Sequence, residues 1–365
     1  MNPLFNLPLH GVFCAPFCCA EKNNLPIQID LDFTSTTVPN TTLTSNTGEP
    51  IWSMVDKGER YYSEVNLFKS EFHHSNEHEL HKSNINNSYH LQINCQGSGL
   101  FKISKKAISI NWQAQGTGAD HYFQTLAIAL NLELNNVLCI HANALAYKNK
   151  AIAIMAPSRT GKTTLTAALS QQGFALMTDD MVALHEIKAQ EQDNSNKGYK
   201  IYPSWPVARM WPDSLKDIPF TENQEHQKVH EKFEKRTVNL TKTKAVEFCE
   251  QPKELQVIYL LNRLPPEQTK ELMKEHEIYK ETNTINNNKP IGEIVSIGTA
   301  QALILLLQNS ILGSCYSALK LEKSRLQAFS TLLENIAFKQ INYPSGKEHL
   351  NEIGELIKKD LESYP

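Results

Sequence analysis

The sequence predicts an α/β core preceded by a β-rich N-terminal lobe. Near the middle of the chain, the apolar run Ala151–Met155 has the composition of a buried parallel strand, and a helical stretch follows it after a short turn. In the first hundred or so residues, apolar and polar residues alternate with the period of half-buried strands. The expected division is a lobe of residues 1–118 and a core of residues 119–365.

Composition and charge restrict the class of protein. The chain has 365 residues, of which 41% are hydrophobic and 21% charged, as is typical of soluble globular proteins. A formal charge of -3 gives no electrostatic reason to expect nucleic acid or a membrane as the dominant partner. No apolar run is long enough to span a bilayer, and the start lacks a basic secretory segment. Seven mostly scattered cysteines favour a reducing cytoplasm.

Three alternating segments predict strands in the lobe: Ile27–Phe33, Tyr89–Cys95 and Ile108–Trp112. A histidine-rich patch at residues 73–81 has no accompanying apolar stripe, so it is predicted to be a solvated segment rather than a metal site. Cysteines 14, 18 and 19 have no zinc-site spacing and are assigned to an N-terminal strand pair.

Strand and helix patterns continue through the core. Ala119–Leu134 carries apolar residues at helical spacing and is predicted to lead from the lobe into the core. Val137–Tyr147 is predicted to be one strand, with His141 inside it. Further strands are expected at Phe174–Met177 and Leu255–Leu261, the second of which is strongly β-forming.

The C-terminal part is predicted to cover the sheet with helices. Ala300–Leu312 is apolar nearly all round, which predicts a buried helix. Arg325–Phe338 and Leu350–Leu361 are amphipathic, and Ile341–Pro344 between them predicts a short strand.

The turn after Met155 has the pattern of a phosphate-binding loop. Consecutive backbone N–H groups and the positive end of the following helix would bind a nucleotide triphosphate, with Lys162 reaching its β- and γ-phosphates and the Thr163 hydroxyl holding Mg²⁺. The pattern is imperfect, because Ala156 stands where it begins with glycine and Arg159 occupies a position that is often glycine. The candidate binding residues are Ala156, Pro157, Ser158, Arg159, Thr160, Gly161, Lys162, Thr163 and Thr164.

Two carboxylates, Asp179 and Asp180, follow the next strand. One of them can serve the metal while the other takes a proton from an attacking hydroxyl. Held close together, they should also disfavour joint ionisation until Mg²⁺ or Lys162 compensates.

The segment IHANALAYKNKAIAIMAPSRTGKTTLTAALSQQGFALMTDDMVAL resembles the catalytic core of HPr kinase/phosphorylase. It is more similar still to the HPr-kinase-like enzymes found near peptide-modification genes, such as the lasso-peptide kinases. The resemblance is good over residues 137–186 and looser to about 213. It implies a P-loop kinase core like the C-terminal part of HPr kinase. In such a core His141 assists at the phosphoryl-accepting site, Asp180 is the general base, and Asp179 and Thr163 serve the metal.

The chain departs from that family in one respect. The family supplies a metal-binding glutamate in the region that corresponds to Pro203–Pro212, and this region contains no glutamate here. No residue is therefore assigned to the second metal contact. Arg209 in this region faces either phosphate or acceptor, or else belongs to a packing loop. Related kinases place cationic residues further along to meet phosphate, which makes Lys232, Lys235 and Arg236 candidates.

The resemblance implies an ATP- and Mg²⁺-dependent phosphotransferase that acts on a hydroxyl, with a serine of a peptide or small protein as acceptor, and the cysteines favour a cytoplasmic location. Because the bacterial HPr enzymes assemble, a homo-oligomer is also compatible with it. Three alternatives stay open: a small-molecule kinase on the same scaffold, a nucleotide-binding regulatory or scaffold protein with little turnover, and a nucleotide hydrolase that drives assembly.

Overall fold

The computed structural model of the protein describes residues 28–31, 48–57, 62–70, 88–95, 98–112, 119–157, 160–187, 198–212, 234–240, 246–265, 267–274 and 291–364. For residues 28–31, 112, 119, 120 and 239 it describes the backbone alone. Several sequence predictions lie outside the described residues, namely those on the histidine-rich patch, the N-terminal cysteines, Ser158, Arg159 and Lys232.

The N-terminal region is β-rich, as predicted. Its six strands are β1 Gln28–Leu31, β2 Trp52–Lys57, β3 Tyr62–Lys69, β4 Tyr89–Asn94, β5 Ser98–Ile103 and β6 Ala107–Trp112. They form one sheet in the order β1-β6-β5-β4-β3-β2, in which only the β1–β6 pairing is parallel. Strand β4 buries every second residue, so the sheet has one apolar face to pack.

A helix, α1, covers that face and leads out of the sheet. It runs through Ala119–Tyr122, a π-helical turn at Phe123–Ala127, and Ile128–Leu134. Its side chains share a core with β3 to β6 and with the turn at residues 312–319. One side of the N-terminal sheet is thereby joined to the C-terminal part of the chain.

The second sheet is mixed and has nine strands. They are β7 Leu138–Ile140, β8 Ala142–Tyr147, β9 Lys150–Met155, β10 Ala175–Thr178, β11 Val182–Ile187, β12 Gly198–Ile201, β15 Lys253–Arg263, β16 Glu293–Ser296 and β17 Ala337–Tyr343. The intervening strands β13 Val207–Met210 and β14 Arg236–Asn239 form a separate antiparallel pair. The main order is β10-β8-β9-β15-β12-β11-β7, with β17 beside β15 and β16 beside β17. Strands β9 and β17 both run parallel to β15.

Helices cover both faces of this mixed sheet. They are α2 Lys162–Ser170, α3 at residues 267–274, α4 Thr299–Gln308, α5 Glu322–Asn335 and α6 Leu350–Glu362. Helices α2 and α6 share a core with one set of strand side chains, and α4 and α5 share a core with the alternate set. None of the helices in the described ranges is long and apolar enough to cross a membrane.

The helix expected at Arg325–Phe338 ends at Asn335, and Ala337 and Phe338 belong to strand β17.

Two other sequence predictions are wrong in detail. The strand expected at Val137–Tyr147 is broken at His141, because β7 pairs with β11 whereas β8 pairs with β9 and β10. The helix expected at Ala300–Leu312 forms as α4, but it is not buried, since Ile304 is 56% exposed. It lies on the outside of the molecule and buries only the stripe that contains Ala302 and Leu306.

A buried ion pair joins the end of α1 to α5. Arg325 Nε lies 2.5 Å from Glu133 Oε2, and the two side chains are 2% and 0% exposed. The other carboxylate oxygen accepts hydrogen bonds from the Tyr316 hydroxyl at 2.9 Å and from the Cys139 N–H at 3.0 Å. Burial raises the pKa of Glu133, so the carboxylate depends on these partners to stay ionised.

Candidate active site

The turn after β9 is held in shape by its own hydrogen bonds and by β17. Gly161 has φ of 101°, in the left-handed region that glycine adopts without steric cost. The Thr160 hydroxyl donates to the Pro157 carbonyl at 2.8 Å, and the Tyr343 hydroxyl donates to the Thr160 carbonyl at 2.7 Å. Helix α2 begins at Lys162, so its first N–H groups lie at this turn and are free of intrahelical partners.

Lys162 is the centre of the cluster at this turn. Its Nζ lies 3.2 Å from His141 Nε2 and 3.9 Å from Asp180 Oδ1. Burial lowers the pKa of Lys162, although the charges of Asp180 and Asp179 oppose that shift. An ammonium that is removed from water next to one carboxylate can gain further from a second anion.

His141 lies in the break between β7 and β8. Its backbone N–H donates to the Asn309 carbonyl at 2.7 Å, which fixes the break. Burial lowers the pKa of the imidazole, as does the charge of Lys162, while Asp180 opposes the shift. The ring is therefore neutral at pH 7. Because an ammonium can only donate, Nε2 is the acceptor and Nδ1 carries the proton.

Asp180 receives cations from three directions. Lys235 Nζ lies 3.6 Å and Arg209 Nη1 3.9 Å from its Oδ2, and Lys162 lies on the side of Oδ1. Its backbone has φ of 64°, a left-handed conformation that few side chains other than Asn and Asp adopt readily. Asp179 is bound differently, since its Oδ2 accepts the Arg209 backbone N–H at 2.7 Å.

The surroundings push the pKa values of the two aspartates apart. Burial, followed by the charge of Asp180, raises the pKa of Asp179 to about 6. Burial also raises the pKa of Asp180, but Lys235, Lys162 and Arg209 outweigh it and hold the pKa below its usual value. Near pH 6 the pair therefore carries less than two full negative charges, and most of this negative charge is on Asp180.

The pair β13–β14 brings two cations into the site. Arg209 Nη2 also donates to Gln124 Oε1 at 2.9 Å, so its guanidinium connects the π-helical turn of α1 with Asp180. Lys235 directly precedes β14, and Arg236 is in β14 opposite Met210. Sequence reasoning left Arg209 undecided, and the structure brings it to Asp180. No motif pointed to Gln124.

The donors near the turn fit a hard divalent cation in part. Thr163 is half-buried in the first turn of α2, and Asp179 directly follows β10. In the part of the chain that the structure describes, no group of three or more His, Cys, Asp and Glu side chains could hold a metal alone. Mg²⁺ usually binds one or two protein oxygens together with phosphate oxygens and waters, which these residue types can supply.

A small cleft beside Asp179 opens to solvent. It is lined by Gln124, Thr125, Asp179, Met181, Ser204, Trp205, Val207 and Arg209.

The opposite pKa shifts predict opposite effects on stability. In Asp179 the folded pKa is raised, so its contribution to stability is complete below the unfolded value near 4 and is lost as the pH rises through about 6. Asp179→Asn should therefore raise the free energy of unfolding by about 1–3 kcal/mol at pH 7.5 and change it little at pH 4. Denaturant unfolding at both pH values measures this.

Asp180→Asn is the matched control. The folded pKa of Asp180 is lowered, so its contribution is present above pH 4 and is lost as the pH falls. This replacement should destabilise the protein at pH 7.5 and have less effect at low pH. If both replacements changed the free energy of unfolding in the same direction at pH 7.5, the assigned charge distribution would be wrong.

No family model matches the chain, and no curated protein matches it. Among solved structures, it is similar to the structure of the Hpr(Ser) kinase/phosphatase from Coxiella burnetii, with 13% sequence identity and a TM-score of 0.28. The match covers 62% of this chain and 97% of that chain. The likeness is distant, and the function proposed below rests on side-chain geometry.

Proposed function

We propose that the chain is an ATP- and Mg²⁺-dependent kinase that transfers the γ-phosphoryl group to a hydroxyl, with a serine of a peptide or small protein as acceptor. One observation carries the proposal. Lys162, at the start of α2, has His141 at 3.2 Å and Asp180 at 3.9 Å, although the three residues come from separate elements. A buried lysine at a helix N-terminus beside a carboxylate and a neutral imidazole provides a cation for phosphate and acceptors for a proton.

In this proposal the loop amides and Lys162 bind the β- and γ-phosphates, and Thr163 and Asp179 hold the metal, which neutralises phosphate charge when bound. Asp180 accepts the proton of the acceptor hydroxyl as its oxygen bonds to phosphorus and the bond to the ADP oxygen breaks. His141 accepts a hydrogen bond from Lys162 and orients its ammonium.

The low pKa of Asp180 makes it a weak base, which is compatible with this reaction. Phosphoryl transfer passes through a loose transition state, in which the acceptor keeps its proton until late. Positioning and charge neutralisation then supply most of the rate. Arg209 and Lys235 add two positive charges beside Asp180, which leaves the site suited to a multiply charged anion.

The peptide acceptor and the cytoplasmic location are proposed on grounds other than the geometry around Lys162. The acceptor class comes from the sequence resemblance. All four cysteines in the described ranges are free thiols, which suits a reducing compartment.

A nucleotide-binding regulatory protein with little turnover is the second candidate. The observation that favours it is the pairing of Asp180 with three cations, which weakens it as a proton acceptor.

The test is phosphate transfer by the wild-type chain and Asp180→Asn. With MgATP and a serine-containing peptide library, the wild type should release ADP and label peptide in equal amounts. The variant should do so roughly 10²- to 10⁴-fold more slowly, with similar nucleotide affinity. Nucleotide binding is measured by calorimetry.

Asp360→Asn, which removes a carboxylate bonded to Tyr259 at 2.6 Å outside the site, controls for lost stability. Equal turnover by wild type and Asp180→Asn would remove Asp180 as the base, and binding without turnover in the wild type would favour the regulatory candidate.

A further inference from the structure

Asn143 is a fully buried polar side chain that none of the roles above uses. It lies in β8 between Ala142 and Ala144, and its exposed fraction is 0%. A buried amide is costly unless its donor and its acceptor are both bonded. The hydrogen-bond partners of Asn143 therefore indicate its role.

Both ends of the amide are bonded, and to different elements. Nδ2 donates to the Thr166 hydroxyl of α2 at 3.0 Å, and Oδ1 accepts the Asp180 backbone N–H at 3.2 Å. A backbone N–H can only donate, so the atom that faces Asp180 must be the amide oxygen. The orientation of the side chain is thereby fixed, and Asn143 links the phosphate-binding helix with the turn that carries the aspartates.

The turn at Asp179 and Asp180 is not held by the backbone hydrogen bonds of the sheet. The pairing of β10 with β8 shifts register between Leu176 and Thr178 and ends at the pair Thr178–Ala144. Two residues later, Asp180 adopts φ of 64°. Non-glycine residues keep a left-handed conformation only when their surroundings hold it. The side chain of Asn143 takes the Asp180 N–H where the backbone ladder no longer does.

We infer that Asn143 is a positioning residue of the proposed kinase. By binding Thr166 and the Asp180 N–H, it fixes the Asp180 carboxylate at its distance of 3.9 Å from the Lys162 ammonium. This inference rests on the proposed function. It adds a residue that acts through the geometry of the proton acceptor and does not touch the reacting groups itself.

Three variants test this role. Asn143→Ala removes both bonds, and Thr166→Val removes only the bond to Nδ2. Asn131→Ala is the matched control. Asn131 is also a fully buried asparagine with a structural bond, since its Nδ2 donates to the Ser104 carbonyl at 2.7 Å, but it belongs to α1 and does not contact the site.

The first measurement is steady-state ADP release from MgATP by each full-length variant, with the serine-containing peptide library present as acceptor. Asn143→Ala should lower kcat roughly 10- to 100-fold, because a displacement of about 1 Å has effects of this size, with KM for ATP within about twofold of wild type. Thr166→Val should give a smaller loss of the same kind. Asn131→Ala should leave both constants of the folded protein within about twofold of wild type.

The second measurement is amide hydrogen exchange at Asp180, which needs no catalysis. Loss of its acceptor in Asn143→Ala should speed exchange roughly tenfold or more, and Asn131→Ala should not.

A wild type without turnover would refute the proposed function, and exchange at Asp180 would then decide the positioning role alone. Wild-type kcat or unchanged Asp180 exchange in Asn143→Ala overturns the inference, as does an equal loss of kcat in Asn131→Ala. If Asn143→Ala does not fold, the same two readouts on Thr166→Val decide between these outcomes.

Discussion

Replacement of Lys162 by Met should lower kcat/KM for MgATP by roughly 10²- to 10³-fold, the usual cost of removing one preorganised charge donor. The side chain is only 10% exposed, and its ammonium lies between His141 and Asp180 at the start of α2. Methionine has a similar length and fills the same space without the charge. This replacement should cost little stability, because burial already disfavours the Lys162 ammonium and Asp180 keeps Arg209 and Lys235 as partners.

The matched control is Lys148→Met. Lys148 lies in the turn between β8 and β9, at the opposite end of β9 from Lys162, and its side chain is 66% exposed. Its ion pair with Glu362, at 2.8 Å, is exposed and adds little to stability. Calorimetric binding of MgATP and the kinetics of ADP release with the peptide acceptor should therefore match the wild type. Lys162→Met with wild-type nucleotide affinity would contradict the assigned role of Lys162.

Arg325→Met should have the largest effect on stability, a loss of about 3–5 kcal/mol in the free energy of unfolding. The replacement leaves the carboxylate of Glu133 buried without its cation, while the bonds from Tyr316 and Cys139 remain. The pKa of Glu133 is already raised by burial, and losing Arg325 raises it further. Stability is then lost as the pH rises, so the deficit should be smaller at pH 5 than at pH 8.

Denaturant unfolding at the two pH values measures this effect. The double variant Glu133→Gln with Arg325→Met should recover part of the loss, because it no longer buries an unpaired charge. The exposed pair Lys358–Glu355, at 2.9 Å, provides a control whose removal should cost about 0.5 kcal/mol or less. A deficit that is equal at pH 5 and pH 8 would show that packing, and not charge, accounts for the loss.

Local periodicity predicted most elements of this fold but not their surroundings. The alternating segments of the lobe and the strand, turn and helix around Lys162 formed where the sequence placed them, because side-chain direction repeats with a fixed period in each element. The exposure of Ile304 was missed, since an apolar helix has no pattern that shows which side will be covered.

The site itself required long-range information. His141 and Lys162 are 21 residues apart and could be placed together by family resemblance, whereas Lys235 reaches Asp180 only through the pairing of β14 with β13. For Asn143 the sequence did offer a signal, a single amide within the apolar strand Ala142–Tyr147, but its partners in α2 and at Asp180 depend on the tertiary structure.

The bond from the Tyr343 hydroxyl to the Thr160 carbonyl has a consequence for biosynthesis. Tyr343 ends β17, which is the parallel neighbour of β15, and it lies 183 residues after Thr160 in the chain. A ribosome must therefore translate all of the intervening strands and helices before the turn at Thr160 can acquire this support. Nascent chains released early would contain the Lys162 segment without the strand that steadies it, and quality-control proteases would meet them in that incomplete form.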